Sequence, residues 1–153
     1  MKYNQSIPAL AVSVFLVLVL SSQALAFLGF GSRYEKIEAR DGLVTIPISK
    51  IDDGDAHYYS FEAKGREIRF FVLKSSDGVI RAAFDACDVC FSERKGYDRT
   101  GESVVCNNCG QRFHSTMINE VKGGCNPAPL ARKAEDGKLY IRASDIEQGA
   151  RYF

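Results

Sequence analysis

The sequence predicts a mainly β domain. The chain has 153 residues, 46% of them hydrophobic and 25% charged, a length and composition that suit one compact domain rather than two. Short runs rich in β-branched and aromatic residues alternate with turns that contain Gly and Asp. A helical period appears only weakly, in residues 92–97 and 144–149. These three observations favour short strands through most of the chain.

The first 26 residues are predicted to be a secretory signal. Lys2 gives a short positive start, residues 7–20 are almost wholly apolar, and residues 24–26 have the small-x-small pattern of a cleavage site. The alternative is a retained signal anchor, because residues 24–30 extend the apolar run. Both alternatives place the rest of the chain outside the cytoplasmic membrane, and retention would attach it there. Residues 27–40 are then a juxtamembrane spacer, and residues 41–153 are the β domain.

Four strands are predicted before the first cysteine. Residues 43–48 form the first, which ends before the turn at residues 52–55. Residues 57–63 and 66–74 form a hairpin across Lys64 and Gly65, and residues 79–84 form the fourth strand. We interpret the aromatic residues of these strands as core.

The second half continues in the same pattern. Residues 103–105 form a strand that leads into a cysteine pair, and residues 117–121 precede two glycines. Residues 138–143 form a strand after an Asp-Gly turn, and Ser144 is placed to cap a short terminal helix.

The charge balance argues against a nucleic-acid-binding function. The formal net charge is +1, which leaves no basic excess to neutralise phosphates. The sequence also shows no nucleotide-binding loop, no Ser–His–Asp arrangement and no assignable pair of catalytic carboxylates. Asp85 and Asp88 are better explained as turn caps, so we assign no enzyme class.

Cysteine is where the composition departs most from an average domain. Four of the five cysteines, Cys87, Cys90, Cys106 and Cys109, form two Cys-x-x-Cys pairs separated by fifteen residues, a spacing typical of tetrahedral thiolate sites. Free thiols do not persist in an oxidising compartment unless they are paired or bound to metal. The spacing favours a metal or cluster over disulfides or a dithiol redox pair. It does not choose among zinc, a single iron and a two-iron cluster.

The fifth cysteine, Cys125, lies between two glycines and two spaced prolines. Such a loop approaches its surroundings closely, so Cys125 is a candidate fifth or replacement metal ligand, and the alternative is a buried packing residue. His114 is a further candidate ligand, but an exposed or strand-flanking side chain is favoured. His57 lies in an aromatic strand, where a structural role is favoured.

Residues 84–130 carry a resemblance to a known family. Its pattern comprises Asp85-Ala86-Cys87-Asp88-Val89-Cys90, Lys95-Gly96-Tyr97, Val105-Cys106-Asn107-Asn108-Cys109-Gly110, Phe113 and Gly123-Gly124-Cys125-Asn126-Pro127. This resembles an uncharacterised bacterial family of membrane iron-sulfur proteins associated with ferrous-iron permeases. The likeness extends upstream through Ile46 and residues 70–72. It implies a periplasmic protein, or one on the outer face of the cytoplasmic membrane, with an iron-sulfur cluster or iron and a permease or redox protein as partner.

A more distant likeness is to Rieske-type domains, small β-sandwiches or barrels with two metal-binding knuckles. Those domains have one ligand pair in each of two loops and a Gly/Pro-rich loop that leads to a Leu and a final strand. Residues 106–113, 123–130 and 138–141 follow that order. A Rieske centre has one Cys and one His in each loop, whereas this chain has Cys at all four positions. Four thiolates imply a much lower potential for a two-iron cluster, and they leave a plain zinc site open.

Three functional classes therefore remain open. The first is a one-electron carrier that supports membrane iron transport, with a cluster on the four paired cysteines and Cys125 closing over it. The second is a module that binds and delivers zinc or another ion, with Cys125 assisting the transfer. The third is a thiol–disulfide oxidoreductase, in which one cysteine pair attacks and another resolves. The family resemblance favours the first class.

Overall fold

The structure is a computed structural model that describes residues 32–153. Residues 33–153 form one compact unit. The predicted signal or anchor in residues 1–26 lies outside the described residues, as does the start of the predicted spacer. No helix within the described part of the chain combines the length and the apolar character needed to cross a membrane.

Short strands dominate the described residues, as the sequence predicts. In chain order they are β1 (Glu35–Lys36), β2 (Leu43–Pro47), β3 (Ala56–Ala63), β4 (Arg66–Lys74), β5 (Ile80–Phe84), β6 (Tyr97–Thr100), β7 (Ser103–Cys106), β8 (Arg112–His114), β9 (Lys133–Glu135) and β10 (Lys138–Arg142). They form three sheets in the orders β1-β3-β4-β5, β2-β10-β9 and β6-β7-β8. Every described pair of neighbouring strands is antiparallel except β1 and β3. The mainly β fold class is confirmed.

The predicted hairpin is the longest ladder. β3 and β4 pair from Ala56 opposite Leu73 to Ala63 opposite Arg66. Lys64 and Gly65 join them, with φ of 51° and 74°, which is the left-handed pair that a two-residue hairpin turn needs. The turn residues predicted from sequence thus fix the register of the central sheet.

β4 is buried on both faces, and its alternate side chains enter two separate hydrophobic clusters. Phe70 and Val72 belong to the first cluster, together with residues of β2 and β10. Phe71 and Leu73 belong to the second cluster, together with Tyr97, Cys87 and other residues. One strand therefore joins the main core to the region that carries the cysteines.

The C-terminal segment is helical, but its start differs from the prediction. Helix α1 spans Ala143–Glu147, so Ser144 lies inside its first turn and Arg142 occupies the N-cap position. The helix begins directly where β10 ends, and the Ala143 N–H donates to the Gly42 carbonyl at 2.9 Å. A 3₁₀ helix, Gln148–Tyr152, follows. Residues 117–121 contain the end of a 3₁₀ helix and a turn rather than a strand, and Ile118 is buried in the second cluster.

Candidate metal centre

All five cysteines converge in two overlapping groups. The Sγ atoms of Cys87, Cys90 and Cys125 lie within 4.8 Å of one another, and so do those of Cys90, Cys106 and Cys109. Cys90 belongs to both groups, and its Sγ lies 3.7 Å from the Sγ of Cys125. All five are within the described residues, where each carries a free thiol. Residues that are far apart in sequence thus form one thiol cluster.

Cys87 and Cys90 lie in the loop that follows β5. Cys87 is buried, with 1% of its surface exposed, and Cys90 is half-buried. The backbone N–H of Cys90 donates to the Sγ of Cys87 at 3.2 Å. Asp88, between the two cysteines, accepts a hydrogen bond from the Tyr152 hydroxyl at 2.8 Å. The bond from Tyr152 therefore holds this loop against the C-terminal segment. The bond from the Cys90 N–H gives the Cys87 sulfur a backbone donor within the turn.

Cys106 and Cys109 lie in the turn between β7 and β8. The Gly110 N–H donates to the Cys106 carbonyl at 2.9 Å, and the Cys106 N–H donates to the Gln111 carbonyl at 2.9 Å. Gly110 has a φ of 74°, in the left-handed region that favours glycine. Cys106 is buried and Cys109 is exposed. This turn therefore presents one of its two sulfurs to the interior and one towards solvent.

Cys125 lies in a loop that is attached to β5 at both of its ends. At the start, the side-chain amide of Asn119 accepts from the Ala82 N–H at 3.0 Å and donates to the Ala82 carbonyl at 2.6 Å. At the end, the Phe84 N–H donates to the Ala128 carbonyl at 2.8 Å. Gly123 and Gly124, at φ of 83° and 62°, turn the chain between these points. The loop is thereby held beside the first cysteine pair.

A buried tyrosine joins the loops. The hydroxyl of Tyr97 donates to the Cys125 carbonyl at 2.6 Å, and its backbone N–H donates to Oδ1 of Asp85 at 2.7 Å. Only 1% of its surface is exposed, and burial raises the pKa of its hydroxyl. The Tyr97 hydroxyl therefore remains protonated at neutral pH. The two hydrogen bonds of Tyr97 link the loop of Cys125 to Asp85, which precedes Cys87 in the chain.

Asp85 is the centre of the supporting network. Its Oδ2 accepts a hydrogen bond from the Tyr34 hydroxyl at 2.6 Å. A Cβ at Gly96 would lie 2.3 Å from that same Oδ2, and Gly96 has a φ of 66°. Only glycine fits here without displacing the carboxylate. The sequence indicated a turn cap at Asp85, but the link to Tyr34 and Tyr97 depends on long-range packing and has no local sequence signal beyond the Gly96-Tyr97 pair.

The thiols have different proton affinities. Burial raises the pKa of the Cys106 thiol, and the Gln111 backbone N–H lowers the pKa of the Cys109 thiol. The neighbouring Cys109 thiol, followed by burial and by Cys90, raises the pKa of Cys125 to about 12. Neighbouring thiolates repel one another, so the cluster favours ionisation of all its sulfurs only when a cation is bound.

The two histidines are engaged elsewhere. His57 Nε2 lies 2.8 Å from Oδ1 of Asp53, and His114 Nδ1 lies 2.9 Å from Oγ1 of Thr116. Neither joins a thiol group among the described residues. His114 is exposed, as expected.

The donor set fits a soft metal. Every side chain in the two groups is a thiol, and the buried surroundings of Cys87 and Cys106 exclude water from part of the cluster. Thiolates select zinc, copper(I) and iron-sulfur clusters, whereas calcium and magnesium require oxygen ligands. Four cysteines complete the coordination of a two-iron cluster or of a single tetrahedral ion. The residues present therefore suit an iron-sulfur cluster.

The fold and the cluster together define a mainly β, thiol-rich metal-binding protein. The model of the FtrD-like family, described as membrane iron-sulfur containing proteins, matches residues 51–153. The chain belongs to this family. The family resemblance expected from sequence is thereby confirmed, and so is the expectation of an iron-sulfur, metal-binding protein.

Two further comparisons were made. No curated protein matches the chain. Among solved structures, the chain is similar to the quaternary ammonium Rieske monooxygenase CntA, with a TM-score of 0.42 and 14% sequence identity. The match covers 63% of this chain and 29% of that one, so the chain spans less than a third of the monooxygenase.

Proposed function

We propose that this chain is an exported electron-transfer protein that supports iron transport across the cytoplasmic membrane. Membership of an iron-sulfur family gives the cofactor class. The convergence of the thiols at one place is the single observation that carries the assignment. The predicted signal supports export to the periplasm or to the outer face of the membrane. The family's membrane association supports a permease or its redox protein as partner.

The four paired cysteines are the proposed cluster ligands. Cys90, Cys106 and Cys109 form one complete group, and Cys87 joins it through Cys90. A bound iron-sulfur cluster would supply one-electron exchange. The protein's own contribution is to hold the thiolates in position, to donate the Cys90 N–H to the Cys87 sulfur and to keep Cys87 and Cys106 away from water.

An exposed apolar surface supports the proposed transfer to a partner protein. Val89 and Phe91 flank Cys90 in the sequence, and 61% and 40% of their surfaces are exposed. Cys109 is also exposed. Apolar side chains beside a redox site favour contact with a protein partner and bring the two centres close together.

Anaerobic purification tests the proposal directly. We expect a coloured protein that contains iron and acid-labile sulfide, whose visible absorption is bleached by dithionite. Alanine at Cys109 should abolish the colour without unfolding the chain, because this side chain is exposed and belongs to neither hydrophobic cluster. Far-UV circular dichroism provides the folding control.

The other two classes give different results in the same measurement. A colourless protein with one tightly held zinc per chain would contradict the iron assignment and support metal binding or delivery. A metal-free protein with the four paired cysteines in two disulfides would support a thiol–disulfide oxidoreductase instead.

A further inference from the structure

The cluster contains one thiol more than a four-coordinate site requires. Cys90, Cys106 and Cys109 form a mutually close set of three, which leaves one position of a four-thiolate site. Two further thiols, those of Cys87 and Cys125, lie within 4.8 Å of Cys90 and of each other. The sequence pairing assigns the fourth position to Cys87, but the distances do not favour Cys87 over Cys125.

Both candidate thiols meet the set of three through Cys90. The Sγ of Cys125 lies 3.7 Å from that of Cys90. The Sγ of Cys87 belongs to the same close group and accepts a hydrogen bond from the backbone N–H of Cys90 at 3.2 Å. Neither candidate is therefore closer to the set by more than its contact with Cys90.

The two candidate thiols belong to different loops. Cys87 is held by the loop after β5 and is 1% exposed, whereas Cys125 is half-buried in the loop attached at Asn119 and Ala128. A metal can therefore change from one thiol to the other without displacing Cys90, Cys106 or Cys109. Because both donors are thiolates, the softness of the donor set and the ligand charge remain the same.

We propose that the fourth ligand position can be filled by either Cys87 or Cys125, so that the centre exchanges one thiolate for another. This inference rests on the proposed function and adds a ligand-exchange property to it. In the exchange, the metal–sulfur bond to one cysteine breaks and the bond to the other forms. The proton of the incoming thiol passes to the outgoing thiolate, so no oxidant or reductant is required.

Single and double cysteine variants of the full-length chain test this exchange. Cys87→Ala and Cys125→Ala should each retain iron and sulfide in the wild-type ratio, and at least one should show an altered visible and EPR spectrum. The double variant should lose the cluster. Cys109→Ala is the matched control, because it removes a shared ligand and should lose the cluster alone.

Cobalt(II) provides a readout that is independent of cluster assembly. The thiolate-to-cobalt charge-transfer absorption increases with the number of cobalt–sulfur bonds. We expect each of the two single variants to keep the wild-type intensity and the double variant to show a clear decrease. Circular dichroism of each metal-free variant separates the loss of a ligand from the loss of the fold.

The possible failures are distinct. If Cys87→Ala loses both the cluster and the cobalt intensity while Cys125→Ala matches the wild type, the site has four fixed ligands and the exchange is overturned. If both single variants lose metal, all five thiols are required, and the exchange is again wrong. If the wild type binds no iron and sulfide, the proposed function fails, while the cobalt titration still decides whether the two thiols are interchangeable.

Discussion

The two hydrophobic clusters that share β4 differ in what they are made of. The first consists mostly of aliphatic and aromatic side chains from β2, β3, β4, β5, β10 and the C-terminal segment, and it contains no cysteine among the described residues. Four of its members lie in connecting loops: Ile51, Ala86, Ala128 and Leu130. The second is smaller, and two of its buried members are Cys87 and Cys106. We expect apolar burial to be the main source of stability of the first cluster. We expect the stability of the second to depend also on the state of its sulfurs and on the hydrogen bonds of Asp85 and Tyr97. The two clusters are therefore adjacent in space, but we expect different interactions to stabilise them.

Phe70 and Phe71 provide the strongest test of this separation. They are adjacent in β4, fully buried, and belong to opposite clusters. Alanine at either position should lower the free energy of unfolding by about 3–5 kcal/mol, because each change leaves a cavity. Thermal unfolding measures the loss. Only Phe71→Ala should also speed the release of bound metal to a chelator below the unfolding temperature, and equal release rates for the two variants would contradict the separation.

Two glycines give the next test. A Cβ at Gly96 would meet the Asp85 carboxylate at 2.3 Å, and a Cβ at Gly149 would meet the Phe84 ring at 2.1 Å. Gly96→Ala also carries the strain of a positive φ, which costs about 1–3 kcal/mol. We expect Gly96→Ala to alter the absorption spectrum of the bound metal, and Gly149→Ala to lower the melting temperature while that spectrum remains unchanged. An unaltered spectrum in Gly96→Ala would show that the Asp85 network does not reach the sulfurs.

The Tyr97 hydroxyl is expected to have a smaller effect. Tyr97→Phe removes the hydrogen bond to the Cys125 carbonyl and should cost about 1 kcal/mol of stability. Tyr58→Phe is the control, because its hydroxyl donates to the Tyr97 carbonyl at 3.0 Å rather than to a cysteine loop. The reduction potential or the metal exchange rate should change only in Tyr97→Phe. Identical changes in both variants would assign the effect to general loosening of the second cluster.

The smallest expected effect is on the free energy of unfolding at low pH. Hydrogen bonds from Ser75 and Arg81 lower the pKa of Asp77 to about 2. Because the folded-state pKa lies below the unfolded value of about 4, this carboxylate stabilises the fold above pH 4, and the stabilisation is lost as the pH falls towards 2. Asp77→Asn should flatten the decrease of unfolding free energy over that interval. Acid titration followed by circular dichroism measures the slope, and an unchanged slope would contradict the linkage.

Sequence reasoning predicted the strands better than it predicted the supports of the site. The hairpin across Lys64 and Gly65 follows from local turn chemistry and residue alternation, and its strand ends match the prediction closely. The two cysteine pairs could also be recognised from their local spacing. The roles of Tyr34, Asp85 and Tyr97 arise instead from contacts between distant segments, which no local pattern encodes. The cap predicted at Ser144 is wrong, because α1 begins where β10 ends, and the end of β10 depends on the sheet rather than on the local sequence.

The ladder between β2 and β10 has a consequence for the order of assembly. It pairs Leu43 with Arg142, so it closes a roughly fivefold longer loop than the one between the two cysteine pairs, at an entropy cost about 1.5 kcal/mol higher. During synthesis the N-terminal part of a chain emerges first, and Cys125 precedes Lys138, the first residue of β10. Among the described residues β10 is the only strand that pairs with β2, so Val44 and Ile46 lack a described partner strand until β10 arrives. The nascent chain therefore carries its full set of thiols before its main core can close.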